Sequence, residues 1–195
     1  VLTEVQAIGI NVERSNFDGI NFTKGNWSAT NFSNSSLRGV VMEEVTLTGT
    51  NMQNCNFSPF QNIPSVISSD LKGTNFKGSN MSMITIMGGD FTSANIEDCD
   101  LTGASFTACT FNDYDFSKFN LKGVRFRACD MLGCTFSGAL AGTTFEGCNL
   151  RNSKFDECVI TESNFDDAEL TGVSFEKAKI KATFYASIGT RIKAK

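Results

Sequence analysis

Large apolar residues recur at every fifth position along almost the whole of this chain. From Val12 the beat runs Phe17, Phe22, Trp27, Phe32, Leu37, Met42, Leu47, Met52 and Phe57. It resumes at Leu71 and keeps step through Phe76, Met81, Ile86, Phe91, Ile96, Leu101, Phe106, Phe111, Phe116, Leu121, Phe126, Met131 and Phe136. One residue is dropped in "SGALAG", after which Leu140, Phe145, Leu150, Phe155, Ile160, Phe165, Leu170, Phe175 and Ile180 restore the period. A helix repeats every 3.6 residues and a strand every 2, so neither explains a period of five. A unit this short buries nothing alone. Its copies must wind into a solenoid whose neighbouring coils share one core.

The positions around each beat are also patterned. Two residues before it the side chain is small, as at Cys99, Ala104, Cys109, Ser153 and Ala168. One residue before it Asn or Asp is frequent, as at Asn16, Asn21, Asn26, Asn31, Asn75, Asp90 and Asp115. Two residues after it Gly recurs, at Gly19, Gly39, Gly49, Gly73, Gly103, Gly123 and Gly133. Such a unit reads as a short extended segment followed by a tight turn, because several turn types need a positive φ and Asn or Asp bonds nearby backbone groups.

A small residue, then Asn or Asp, then a bulky apolar residue and a Gly-bearing turn resembles the pentapeptide-repeat family, over nearly the whole chain. The resemblance implies an all-β fold, a right-handed quadrilateral β-helix with four pentapeptides per coil. The beats then fill about eight coils, a rod on the order of 40 Å long at an inter-strand spacing of about 4.8 Å. On this reading residues 1–183 form the β-helix with an irregular insert at 58–70. Residues 184–195 form a C-terminal cap or a link to a further domain.

Residues that did not define the beat test the coil. All seven cysteines (Cys55, Cys99, Cys109, Cys129, Cys134, Cys148, Cys158) fall two positions before a beat, where a thiol serves as a compact apolar filler. Their spacing does not suit a zinc site and their number is odd, so neither metal nor a disulfide framework is expected. Unpaired thiols favour a reducing compartment. Tyr114 and Phe119 occupy the normally small position, with small residues one coil away, and are expected in the core. On the outside, Asp70, Asp90, Thr110, Asp130 and Asn149 should form one column, and Asn75, Asn95, Asp115 and Thr135 another. Interleaved Asn and Thr relieve the repulsion between stacked carboxylates, so these columns read as solvated ladders and not as imitations of DNA phosphates.

The break "SPFQNIPSVISSD" at 58–70 holds both prolines, which paired strand interiors exclude. It is either a kink with its apolar residues tucked inside or a loop thrown outward. Loops on rigid scaffolds carry binding disproportionately. The candidate partner-binding residues are therefore Pro59, Phe60, Ile63, Pro64 and Val66. The "SGALAG" break is too short for a loop and reads as a corner adjustment. The end of the chain gathers Lys177, Lys179, Lys181, Arg191, Lys193 and Lys195.

The chain contains no His, which removes Ser-His and Cys-His nucleophile pairs and imidazole metal ligands. A filled solenoid also lacks the deep cleft where a carboxylate pKa is shifted, so catalysis, cofactors and metal are not expected. The net charge of −4 carries no basic footprint for direct nucleic-acid binding, and no apolar run reaches the length of a membrane span. The opening "VLTEVQAIGINVERS" lacks an initiator Met and the layout of a signal peptide, and reads as an excised fragment or a processed chain. What remains is a protein-binding scaffold. The Asn/Ser/Thr-rich surface is similar to the β-helical domains of bacterial effectors. That similarity implies recruitment of a host protein, in effector ubiquitin ligases ahead of a catalytic part outside this chain. The rival within the family is a DNA-mimicking inhibitor or protector of gyrase-type topoisomerase, which requires continuous acidic faces; a third reading is a structural spacer. The expected location is bacterial, either cytoplasmic or secreted into a host cell.

Overall fold

The computed structural model of the chain describes residues 1–189. Arg191, Lys193 and Lys195 of the basic end lie outside the described residues. The described residues hold nine short strands and no helix: β1 Val41–Glu43, β2 Val66–Ser68, β3 Thr85–Met87, β4 Ser105–Thr107, β5 Arg125–Arg127, β6 Ala139–Ala141, β7 Thr144–Glu146, β8 Val159–Asn164 and β9 Lys179–Thr183. The fold is all-β, a right-handed quadrilateral β-helix of parallel strands. Two compact units follow one another in the chain, Val1–Ser105 and the part from Phe106 onward.

In the first unit each side of a coil pairs with the same side of the next. β1, β2 and β3 are parallel, with Met42 opposite Ile67 and Ile67 opposite Ile86. Single bridges step Asn11 to Asn31 to Asn51 to Asn75 to Asn95. In the second unit β5 pairs with β7, and β8 pairs with β6 and β9. There a column of bridges runs Thr110, Asp130, Asn149, Glu169 and Ile188.

The corners explain the period of five. The N–H three residues after a beat returns to the beat carbonyl, as from Ile20 to Phe17 at 3.0 Å and from Thr30 to Trp27 at 3.1 Å. The residue two after the beat then turns left-handed. Gly19 does so at φ +68, but Arg14, Lys24 and Ala29 adopt the same conformation at +55, +61 and +54. The coil imposes this corner on non-glycine residues, although each gives up about 1–2 kcal/mol of local preference.

The small inward position has a polar function that the sequence did not disclose. Its hydroxyl or thiol donates to the beat carbonyl of the preceding coil. Thr50 Oγ1 reaches Trp27 O at 2.9 Å, Ser79 Oγ reaches Met52 O at 2.7 Å, and Cys55 Sγ reaches Phe32 O at 3.0 Å. The outward Asn before each beat accepts from the N–H two residues on, as Asn51 Oδ1 does from Gln53 at 3.2 Å. Its amide donates to the preceding rung, from Asn31 to Asn11 and from Asn51 to Asn31, both at 3.0 Å.

The beat residues fill the axis. In the second unit Phe116, Phe136, Phe155 and Phe175 stack nearly parallel, with ring centroids 5.3, 4.3 and 5.2 Å apart. A second column runs Phe126, Phe145, Phe165 and Phe184, at 5.5, 4.9 and 4.9 Å. The two columns meet edge to face, as in Phe145–Phe155 at 88°. This combines area burial with the offset and T-shaped geometries aromatic rings prefer.

The structure revises several expectations. The strand-bearing part makes about 6 turns, against the eight coils obtained by counting beats. The coils before Val41 pair with their neighbours through single bridges and further backbone hydrogen bonds, not through extended strands. Within 58–70 the ladder is already restored at β2, where Ile67 is a fully buried beat. The dropped residue lies between Ile67 and Leu71. Residues 184–189 continue the coil: Phe184 stacks on Phe165, and Ile188 O accepts from Leu170 N–H at 2.7 Å. Tyr114 and Phe119 are half-buried and not core, because a full ring does not fit the inward slot. Each leans instead on Phe116, with centroids at 4.9 and 5.8 Å.

Candidate functional site

The five residues that distinguish the break from a regular coil form a hairpin. Met42 pairs with Ile67, 25 residues on, whereas Asn31 pairs with Asn51 after the usual 20. Phe60 and Ile63 exchange both N–H···O bonds at 2.9 Å. Between them Gln61 and Asn62 lie at φ +50 and +65. Two successive left-handed residues make the tight hairpin turn whose twist suits paired strands, and Asn is among the residues that best tolerate it. The segment is neither tucked inside nor thrown free. It folds back along a corner of the first unit.

Two glycines on successive coils of that corner make room for it. A β-carbon on Gly39 would lie 2.8 Å from Phe60 Cβ and 3.2 Å from Ile63 O, and one on Gly19 would lie 3.4 Å from the Phe60 ring. Arg38 lies over that ring, with its guanidinium carbon 5.2 Å from the ring centroid. Asp18 fixes Arg38. Its carboxylate accepts Arg38 Nε at 3.0 Å and Nη2 at 2.5 Å, the Arg38 backbone N–H at 3.1 Å, and the Ser36 hydroxyl at 2.5 Å. Burial opposes ionisation of Asp18, but the bonds from Arg38 and Ser36 outweigh it and hold the carboxyl below its usual range. A planar guanidinium is suited to grip a carboxylate with its edge while stacking on an aromatic with its face.

The candidate residues therefore divide. Phe60 is a half-buried anchor, and Pro59 is half-buried beside it. Ile63 is 57% exposed and Pro64 is exposed, so the tip presents them outward. Val66 belongs to β2, half-buried opposite Val41, and serves the ladder. Asp18 and Arg38 were not singled out from sequence, and Gly19 and Gly39 stood out only as turn residues. The signal was there, since both pairs are separated by one coil of 20 residues.

The remaining candidates for chemistry are accounted for by packing. All seven cysteines are buried and none forms a disulfide. Burial pushes the Cys55 thiol up to about 11 and the Cys99 and Cys134 thiols up to about 12. Among the described residues no group of three or more His, Cys, Asp or Glu side chains is placed to hold a metal ion. The acidic column of the second unit is interrupted. Asp130 stands between Thr110 and Asn149 and accepts amide hydrogens from Asn112 at 3.0 Å and Asn149 at 2.8 Å. No helix among the described residues is long and apolar enough to cross a membrane.

Comparison with known proteins agrees with the coil. The family model for pentapeptide repeats matches eight copies, at residues 28–58, 87–123 and 140–176, together more than half of the chain. No curated protein sequence matches. Among solved structures, HetL, a pentapeptide repeat protein involved in heterocyst differentiation regulation from the cyanobacterium Nostoc sp. strain PCC 7120, is 13% identical with a TM-score of 0.57, over 94% of this chain and 91% of that one. Trypsin-treated QnrB1, a plasmid-mediated fluoroquinolone resistance protein, is 22% identical with a TM-score of 0.44, over 92% and 91% of the two chains. The regular corners, the inward beat and the matched repeats lead to one conclusion: the chain belongs to the pentapeptide-repeat family.

Proposed function

We propose that this chain is a non-catalytic protein-binding scaffold and that the hairpin after Phe57 is a recognition element. One observation carries the reading. A solenoid that otherwise buries every fifth residue diverts a segment to its outside and clamps it through Phe60, Arg38 and Asp18, leaving Ile63 57% exposed. A rigid, ordered tip with an apolar residue binds without a large ordering cost. The finer reading is a host-protein-recruiting domain of a bacterial effector working in a reducing compartment. Seven buried thiols that form no disulfide and an outer surface of Asn, Ser and Thr rungs support it.

A photo-crosslinking residue in place of Ile63 tests this in the full chain. The expected result is one specific adduct from host lysate, lost when Phe60 is replaced by Ala. Adducts with gyrase alone from bacterial lysate would favour the topoisomerase alternative. Absence of any adduct would refute the recognition role of the hairpin.

A further inference from the structure

A second surface, in the unit from Phe106 onward, has a composition unlike the rest of the coil. It is the side whose beats are Leu121, Leu140, Ile160 and Ile180, carried by β6, β8 and β9. Ala139 pairs with Val159 and Val159 with Lys179; Ala141 pairs with Thr161 and Thr161 with Lys181. The Gly123 N–H donates to Ala141 O at 3.0 Å, which sets Lys122 beside Ala141 on the preceding rung. The outward residues thus read Asn120 and Lys122, then Ala139 and Ala141, then Val159 and Thr161, then Lys179 and Lys181. Two rungs of short, mainly apolar side chains lie between rungs bearing lysine, with the outer rungs about 14 Å apart at sheet spacing.

This is an unusual allocation of an outer face. Most single-bridge rungs elsewhere carry Asn, Asp, Ser or Thr, as Asn149, whose Oδ1 accepts from the Arg151 N–H, and the apolar Val41–Val66 pair of β1 and β2 is not flanked by lysine. Here the Ala139, Val159 (41% exposed) and Ala141 side chains can make no such bond, and they leave an apolar strip between lysines. Lys122, Lys179 and Lys181 are exposed and, among the described residues, form no ion pair. The Val159 rung ends in Glu157 and Glu162 at its two corners, and Glu157 is engaged by Lys177 at 3.6 Å. The chain carries a formal charge of −4, so a face that gathers free lysines around an apolar strip runs against the charge of the whole.

We propose that this face docks a protein segment that presents carboxylates on either side of one or two aliphatic residues. The inference rests on the reading of the chain as a protein-binding scaffold and names the chemistry of a partner for it. The aliphatic residues cover Ala139, Ala141 and Val159, where no polar group has to be desolvated, and the carboxylates reach Lys122 on one side and Lys179 and Lys181 on the other. Such an arrangement supplies specificity and association rate through charge, and affinity through the dry centre. A membrane is the poorer fit. The strip offers no Trp, Phe or Leu to insert between lipids.

The experiment is an amide chemical-shift titration of the 195-residue chain with the synthetic peptide Glu-Glu-Leu-Val-Glu-Glu, and separately with its Lys-for-Glu counterpart. Shifts are expected at Ala139, Ala141, Val159, Thr161 and Lys179 with the acidic peptide only. The combined Lys122→Glu, Lys179→Glu and Lys181→Glu variant should bind about tenfold or more weakly, and raised salt should weaken the wild type in the same direction. Because the three lysines are exposed and outward, the variant keeps its core, and unchanged amide dispersion verifies it. Equal binding of both peptides, an undiminished variant, or no shift at these amides at millimolar peptide would overturn the proposal. So would binding to phosphatidylserine vesicles without any response to the acidic peptide. Shifts confined to Phe60–Ile63 would sink this face while leaving the scaffold reading standing. Shifts at 139–161 without a crosslink at residue 63 would support this face and remove the hairpin.

Discussion

Replacing Gly39 by Ala tests whether the hairpin is truly fastened to the coil, because a neighbour in the same conformation provides the reference. Gly39 and Gly49 both occupy the corner position two after a beat, at φ +60 and +67. An Ala at either site meets the left-handed strain of about 1–2 kcal/mol, offset by about 0.4–1 kcal/mol from the reduced freedom of the unfolded chain. At Gly49 nothing else follows, since no atom lies within 4 Å of the added β-carbon. At Gly39 the new carbon meets Phe60 Cβ at 2.8 Å, Ile63 O at 3.2 Å and Phe60 N at 3.3 Å. These are backbone or near-backbone atoms, so no rotamer change relieves them. Either the coil strains or the hairpin lifts off, and the smaller cost sets the outcome. Overpacking costs about 1–3 kcal/mol. Lifting off forfeits the Phe60 contacts and a cation–π interaction of about 0.5–1 kcal/mol. Gly39→Ala should therefore be about 1–2 kcal/mol less stable than Gly49→Ala, read as the difference in urea midpoints at constant m-value. The Phe60 and Ile63 amides should also lose exchange protection in the first variant alone. Equal midpoints and intact protection at Ile63 would refute the docked hairpin.

The same clamp makes a pH prediction. Asp18 has a folded pKa below its ordinary 3.8, so its contribution is present above that value and is lost as pH falls through the lowered one; hairpin exchange should quicken there, and Asp18→Asn should remove the dependence. Thiol reagents at pH 8 should leave Cys55, Cys99 and Cys134 untouched in the native chain, because burial holds them near 11 to 12, and should titrate all seven cysteines in denaturant. Cys55→Ser should change stability by less than about 1 kcal/mol, because Ser79 makes the same bond one coil on, whereas Cys55→Val leaves the Phe32 carbonyl without its donor and should cost about 1–2 kcal/mol in urea unfolding. Phe155→Ala, which breaks the column between Phe136 and Phe175, should cost about 3–5 kcal/mol in the same measurement.

What could be read from the residues, and what could not, follows from where each feature is encoded. The beat is written in burial, and burial tolerates Phe, Leu, Met or Ile equally well, so it survives every substitution and is visible by eye. Even Ile67 is legible, ten residues after Phe57 and in phase with it; the position between them that lacks a beat is Asn62, in the hairpin turn. The corners are not written in residues at all. Ala29 and Lys24 have no preference for positive φ, and they take it because the turn bond before and the rung above leave no other course.

The site belongs to a third category, written in residues that meet only after winding. Asp18 beside Arg38, and Gly19 beside Gly39, are unremarkable until 20 is added to each number. Phe60 then becomes the one residue that needs both pairs, the first for its exposed face and the second for its seat. The distinction between anchor and tip is finer still. Phe60 and Ile63 are alike as apolar residues in a polar loop, and only the seat beside Gly19 and Gly39, which takes the Phe60 side chain and leaves that of Ile63 exposed, separates them. A repeat protein thus announces its frame in single residues and keeps its function in the translation vector. A search for sites in such a chain gains most by folding the sequence on its own coil length before asking which side chains are out of place.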